Sequence, residues 1–66
     1  MNVGFPVVHR AGNDSEIYRI DKINDDETCS IVSYINGRSK LISISQLREA
    51  EDEELMIGSR IKRAMQ

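Results

Sequence analysis

The sequence predicts a mainly β fold: a bent antiparallel meander with a C-terminal helix. Three observations carry that expectation. Nine Ile and four Val stand against three Leu, and branching at Cβ suits a pleated strand better than a helix. The β-branched residues concentrate between positions 3 and 44, where Ala11-Gly12-Asn13-Asp14-Ser15, Asn24-Asp25-Asp26-Glu27 and Asn36-Gly37 supply turns at short intervals. From Glu49 onward the composition shifts to Glu, Leu, Met, Lys, Arg and Ala, which are good helix formers.

The turns imply strands over roughly 3–10, 16–23, 28–35 and 38–44, with neighbours antiparallel because the connections are short. Pro6 cannot donate to a ladder and fits near a strand start or an edge. Asn36-Gly37 predicts a two-residue type I′ hairpin, since both residues tolerate positive φ. That turn places Ile35 opposite Arg38, Val32 opposite Leu41, Ile31 opposite Ile42 and Cys29 opposite Ile44. The preceding turn places Ile23 opposite Thr28. Alternation then assigns Tyr18, Ile20, Cys29, Ile31, Ile42 and Ile44 to one face, the expected core, and Ile17, Arg19, Val32, Tyr34 and Leu41 to the other. The second face gathers apolar groups among Ser30, Ser39 and Ser43, so it calls for a cover: the C-terminal segment, a second copy of the chain or a ligand.

Residues 49–66 read as a helical segment of the same domain as 1–48. Glu49, Glu51, Asp52, Glu53 and Glu54 come early and Arg60, Lys62 and Arg63 late, which matches a helix dipole. Ile57, Ile61, Ala64 and Met65 recur at helical spacing. Gly58 costs ~1 kcal/mol relative to Ala inside a helix and leaves open a break, or a short strand at Leu55-Met56-Ile57.

Composition bounds the function. Sixty-six residues make one domain, and a chain of this size buries only ~60% of its unfolded surface, too little core for most catalytic clefts. Nine Lys and Arg against eleven Asp and Glu give a net charge of −2 and a pI near 5.2, against the basic excess of a dedicated nucleic-acid binder. No apolar run approaches the ~20 residues of a membrane span. Met1 to Pro6 lacks the basic-then-apolar order of a secretory signal, so the expected location is cytoplasmic, without a membrane partner.

Chemistry-bearing residues are sparse. Cys29 is the single cysteine; it offers no intramolecular disulfide and no zinc set, and on the core face its thiol is inert. His9 is the single histidine, read as a surface residue, with neither a triad partner nor a glycine-rich phosphate cradle in the sequence. Asp25, Asp26 and Glu27 fit a hairpin turn rather than a calcium loop, and the acidic run from Glu49 to Glu54 fits a solvated helix start. The expectation is a non-enzyme with no metal and no cofactor.

Val3-Gly4 with Val7-Val8, a strand near Tyr18-Arg19-Ile20, and the segment Leu41-Ile42-Ser43-Ile44-Ser45-Gln46-Leu47-Arg48 together resemble the small SH3-like barrels of Tudor and KOW modules. The resemblance spans roughly residues 3–50 and lies in spacing. It implies a late strand ending in a one-turn helix, and a binding module for protein or nucleic acid without choosing between them. Two departures accompany it: the family's fifth strand is replaced here by a helical-looking segment, and the aromatics Phe5, Tyr18 and Tyr34 are too few for a methyl-reading cage.

The expected function is an interaction module that binds a protein partner through Ile17, Arg19, Val32, Tyr34, Arg38 and Leu41, or through the C-terminal segment. An alternative is an accessory RNA- or DNA-binding protein using Arg38, Lys40, Arg60, Lys62 and Arg63. A third is a homodimer that buries the same sheet face.

Overall fold

Along Thr28–Ser33 the side chains of Cys29, Ile31 and Ser33 are buried while those between them are half-buried, the period of two that a strand imposes. The structure, a computed structural model, describes residues 2–61. It contains β1 (Pro6–His9), β2 (Tyr18–Ile23), β3 (Thr28–Ser33), β4 (Ser39–Ser43), a 3-10 turn (Ile44–Gln46), β5 (Leu47–Glu49) and α1 (Asp52–Ile57). The five strands form one open antiparallel sheet in the order β4-β3-β2-β1-β5. The expected meander is therefore present, with a fifth strand that the sequence pattern did not show. The division expected between residues 48 and 49 falls inside β5.

The core lies on the predicted first face. Val7, Tyr18, Ile20, Cys29, Ile31 and Leu47 are buried together, with Ile42 and Ile44 packed against them. Tyr18 pairs Ser33, Arg19 pairs Val32 and Ile20 pairs Ile31. Beyond them the register slips at Asp21, so that Ile23 meets Cys29 rather than Thr28. A bulge of this kind inserts one unpaired residue and switches the side that later residues face.

The β3–β4 hairpin differs from the type I′ expectation. Val32 pairs Ser39, Ile31 pairs Lys40, Ser30 pairs Leu41 and Cys29 pairs Ile42, two residues away from the predicted register. Ser33 N–H donates to the Arg38 carbonyl at 2.9 Å, and Gly37 N–H donates to the Ser33 carbonyl at 3.0 Å, closing a loop over residues 34–37. Gly37 has φ of 70° and no non-glycine residue has positive φ among the described residues. Asn36 keeps ordinary backbone because its side-chain oxygen accepts the Arg38 N–H at 2.9 Å, while Ser33 Oγ accepts the Ile35 N–H at 3.1 Å. A slip of two leaves every side chain on its predicted face, whereas a slip of one would reverse them all.

Gly37 supplies a direct test. A Cβ there meets nothing within 4 Å, so the penalty for Gly37→Val comes from backbone conformation alone. The expected loss is about 1–2 kcal/mol, with Gly37→Asn costing visibly less because Asn tolerates the left-handed region. Equal melting temperatures for wild type and Gly37→Val would refute this turn.

Helix α1 is one turn and a half and stops at Gly58, where the sequence left a break open, rather than running on through Ile61. Glu51 and Glu54 form a reciprocal capping box at its start, and Gly58, at φ 74°, closes its end with its N–H on the Glu54 carbonyl at 2.8 Å. Left-handed glycine ends a helix because the reversed φ carries no Cβ penalty. Thus Ile57 and Ile61 do not share a helical stripe, and Arg60 does not sit in a last helical turn. Lys62, Arg63, Ala64 and Met65 lie outside the described residues. Among the described residues no helix is long and apolar enough to cross a membrane.

Candidate functional site

Val8 and Ile17 are buried but stand apart from the core cluster. They alternate with Val7 and Tyr18, which pair across β1 and β2, so they belong to the second face. The chain after β5 is tied down beside them. Arg48, opposite Val8, donates Nη1 and Nη2 to the two carboxylate oxygens of Glu54 at 2.7 and 2.8 Å. Glu54 also accepts the N–H of Glu51 at 2.8 Å and of Ile61 at 2.7 Å. The Arg48 hydrogen bonds hold the Glu54 carboxyl at about 2, against a burial that would raise it. Those same bonds raise Arg48 above its ordinary value.

A second tie lies nearby. Arg60 donates to the carbonyls of His9 at 3.0 Å, Ala11 at 3.1 Å and Gly12 at 2.6 Å, and its own N–H donates to the Ser15 carbonyl at 2.7 Å. With 7% of its surface exposed, Arg60 cannot serve as the phosphate contact expected of it: backbone oxygens already occupy its guanidinium. Glu54 likewise is not part of a solvated helix start, since it is fully buried and carries the ion pair that seats the helix.

With α1 seated, an apolar groove of about 400 Å³ opens between it and the 34–37 loop, lined by Ile17, Tyr34, Ile35, Leu55 and Gly58. Ile17 is its buried floor, whereas Tyr34, Ile35 and Leu55 are 57%, 72% and 45% exposed. Two of the predicted contact residues, Ile17 and Tyr34, thus come together. Ile35 and Leu55 were not among those predicted.

The other predicted residues lie elsewhere. Val32 is half-buried and Leu41 exposed, on the open β3–β4 half of the second face. Arg19 pairs with Asp21 at 3.4 Å. Arg38 lines a separate polar recess with Glu16, Tyr18, Ser33, Asn36, Ser39 and Lys40. Of the six predicted residues the groove therefore holds Ile17 and Tyr34, and Val32, Leu41, Arg19 and Arg38 lie outside its lining.

Around that recess the polar groups bond one another, except that the buried His9 Nδ1 has no hydrogen-bond partner. Tyr18 donates its hydroxyl to Asp14 Oδ2 at 2.6 Å, and Lys40 Nζ reaches the same oxygen at 3.3 Å while lying 4.8 Å from the Tyr18 ring centre. Burial and the Asp14 bond push the Tyr18 hydroxyl up, so it keeps its proton. Burial alone would raise Asp14, but the bonds from Tyr18, Glu16 N–H and Lys40 hold it below its ordinary value. Ser33 Oγ donates to Glu16 at 2.6 Å. His9 packs edge-on against Tyr18 with centroids 5.3 Å apart; its side chain is 12% exposed, not the surface histidine expected. Burial and then Lys40 push it below its ordinary value. The cluster pins the 10–16 loop to the sheet.

Cys29 is buried, and burial pushes its thiol up. Asp25 Oδ1 accepts the N–H groups of Glu27 and Thr28 and the Thr28 hydroxyl, which is turn chemistry. Among the described residues no three His, Cys, Asp or Glu side chains are placed to hold a metal ion.

The fold and the groove define a small domain of one open antiparallel sheet with a short helix tied to β5 through Arg48 and Glu54. No protein-family model, curated protein or solved structure matches the chain.

Proposed function

We propose that the chain is a non-enzymatic interaction module of SH3-like type that binds a protein partner in the groove lined by Ile17, Tyr34, Ile35, Leu55 and Gly58. The observation that carries this is an apolar groove left open beside a helix that is firmly held. Tyr34, Ile35 and Leu55 stay largely exposed although both walls are fixed by hydrogen bonds: the hairpin through Ser33 and Asn36, the helix through Arg48 and Glu54. Walls that do not need ordering on binding lose less entropy, which favours affinity. Affinity would come from expelling water from the Tyr34 ring and the two aliphatic side chains, at about 25 cal/mol per Å² of apolar surface. The strand order, with a 3-10 turn between β4 and β5, supports the SH3-like assignment. Nucleic-acid binding loses support, because Arg60 is buried and Lys40 is engaged with Asp14.

Amide chemical shifts of the whole chain, titrated with an uncharged Leu- and Phe-containing peptide, test the proposal. Changes should centre on Tyr34, Ile35, Leu55 and Gly58. Ile35→Glu, at an exposed loop position, should alter stability by less than about 0.5 kcal/mol while weakening binding by about 2 kcal/mol. Changes confined to Val32 and Leu41, or none at all, would overturn it.

A further inference from the structure

Resting on the groove as a protein-binding site, we infer that its occupant is a basic amphipathic segment, apolar at one end and bearing Lys or Arg at the other. Leu55 lines the main groove and also a second recess formed with Phe5, Pro6, Glu49, Ala50 and Asp52. The two recesses therefore adjoin at Leu55, and a ligand that spans both would lie in a trough from the hairpin loop to the start of β1. Its hairpin end is walled by Tyr34 and Ile35. Its far end carries two exposed carboxylates, Glu49 and Asp52.

Among the described residues no cation forms an ion pair with Glu49 or Asp52. Arg48 is committed to Glu54 and Arg60 to the carbonyls of residues 9, 11 and 12, while Arg19 pairs with Asp21. The first turn of α1 adds further acids, Asp52, Glu53 and Glu54, of which only Glu54 is buried. A ligand that fills the apolar end therefore gains most if it places cations over Glu49 and Asp52, since complementary charge sets orientation and rejects the wrong partner. A second copy of the chain fits less well: it carries a net charge of −2 and brings the same acidic turn to the trough.

The test uses the full chain and three fluorescent peptides of about twelve residues, long enough for three helical turns. One has Leu at i, i+3, i+4 and i+7 with Lys elsewhere; one replaces Lys by Glu; one replaces Leu by Ser. The Leu–Lys peptide should bind about tenfold more tightly than Leu–Glu, and Glu49→Gln with Asp52→Asn should remove most of that difference. Ile35→Glu should weaken Leu–Lys binding by at least about tenfold. Equal binding of Leu–Lys and Leu–Glu, with amide shifts in the groove, would overturn the charge inference and leave the groove intact. If neither peptide shifts the groove, both fail. Equal binding of Ser–Lys and Leu–Lys would show charge attraction alone, and a dimer in sedimentation that excludes the peptides would make a second copy the occupant; either result overturns the inference.

Discussion

Glu54→Ala is expected to remove a large part of the domain's stability, about 3–5 kcal/mol. The substitution removes one half of a buried ion pair, and the stranded Arg48 guanidinium, together with the N–H groups of Glu51 and Ile61, loses its acceptor. Breaking a buried pair from one side typically costs about 3–5 kcal/mol. A domain of this length has roughly 3–10 kcal/mol in total, so the two quantities are comparable. Urea denaturation of the variant, followed by circular dichroism, measures the loss directly. Replacing both partners with apolar residues, Arg48→Met with Glu54→Leu, should recover much of the stability, because no unpaired charge remains. A midpoint for Glu54→Ala within error of wild type would mean that this pair does not hold the C-terminal segment.

The same carboxylate sets an acid limit. Its folded value of about 2 lies below the ordinary 4.5, so the unfolded chain takes up a proton first as pH falls. Glu54 therefore contributes its full stabilisation above about pH 5, and loses it progressively as pH drops toward 2. Stability of the wild type should fall across that window, and Glu54→Gln should flatten the fall. A Glu54→Gln curve parallel to the wild-type curve would assign the acid transition to other carboxylates.

Ile31→Ala is expected to produce the second large loss. Ile31 and its cross-strand partner Ile20 are both fully buried, and removing a buried branched side chain costs the transfer energy plus a cavity, about 2–5 kcal/mol. In a domain this small each kcal/mol lowers the melting temperature by about 4–8 °C, so the shift should be at least 8 °C. Leu41→Ala, on the open half of the opposite face and 67% exposed, should move it by less than a quarter as much. Similar shifts for the two variants would mean that the sheet faces are assigned wrongly.

What the sequence disclosed follows from which forces act locally. The alternation of Cys29, Ile31, Ile42 and Ile44 disclosed the core face, since strand geometry forces a period of two on any half-buried sheet. The hairpin was legible as a turn but not in its register: Asn36 bonds Arg38 N–H through its side chain, an option that competes with the type I′ geometry. The bulge at Asp21 carries no glycine to announce it. Leu47-Arg48-Glu49 is too short to show periodicity, so β5 emerges only from its pairing with β1.

The site was half legible for a similar reason. Ile17 and Tyr34 were visible as apolar members of one face, while Leu55 reaches them only because Arg48 and Glu54 seat the helix. Nothing local tells Glu54 from its acidic neighbours. The one available signal was the Glu51-x-x-Glu54 spacing of a capping box, obscured because serine or threonine usually opens that motif. Ile35, a bulky β-branched residue in a turn with Asn36 and Gly37, was the clearest sign that the loop carries an exposed apolar side chain.

The clasp of Arg60 on the carbonyls of His9, Ala11 and Gly12 bears on when the chain folds during its synthesis. It links positions 48 to 51 residues apart. The first loop is made well before its closing group, so its carbonyls have no guanidinium to meet until residue 60 has been translated. β1 is in the same position, because its second neighbour, β5, emerges only after residue 46. Long-range closures of this kind slow folding, since the chain loses loop entropy before the contacts can compensate. Closure of the first loop is thus deferred until Arg60 itself has emerged. A nascent chain arrested before Arg60 should remain sensitive to protease in the 9–15 loop, and gain protection once that one residue is free.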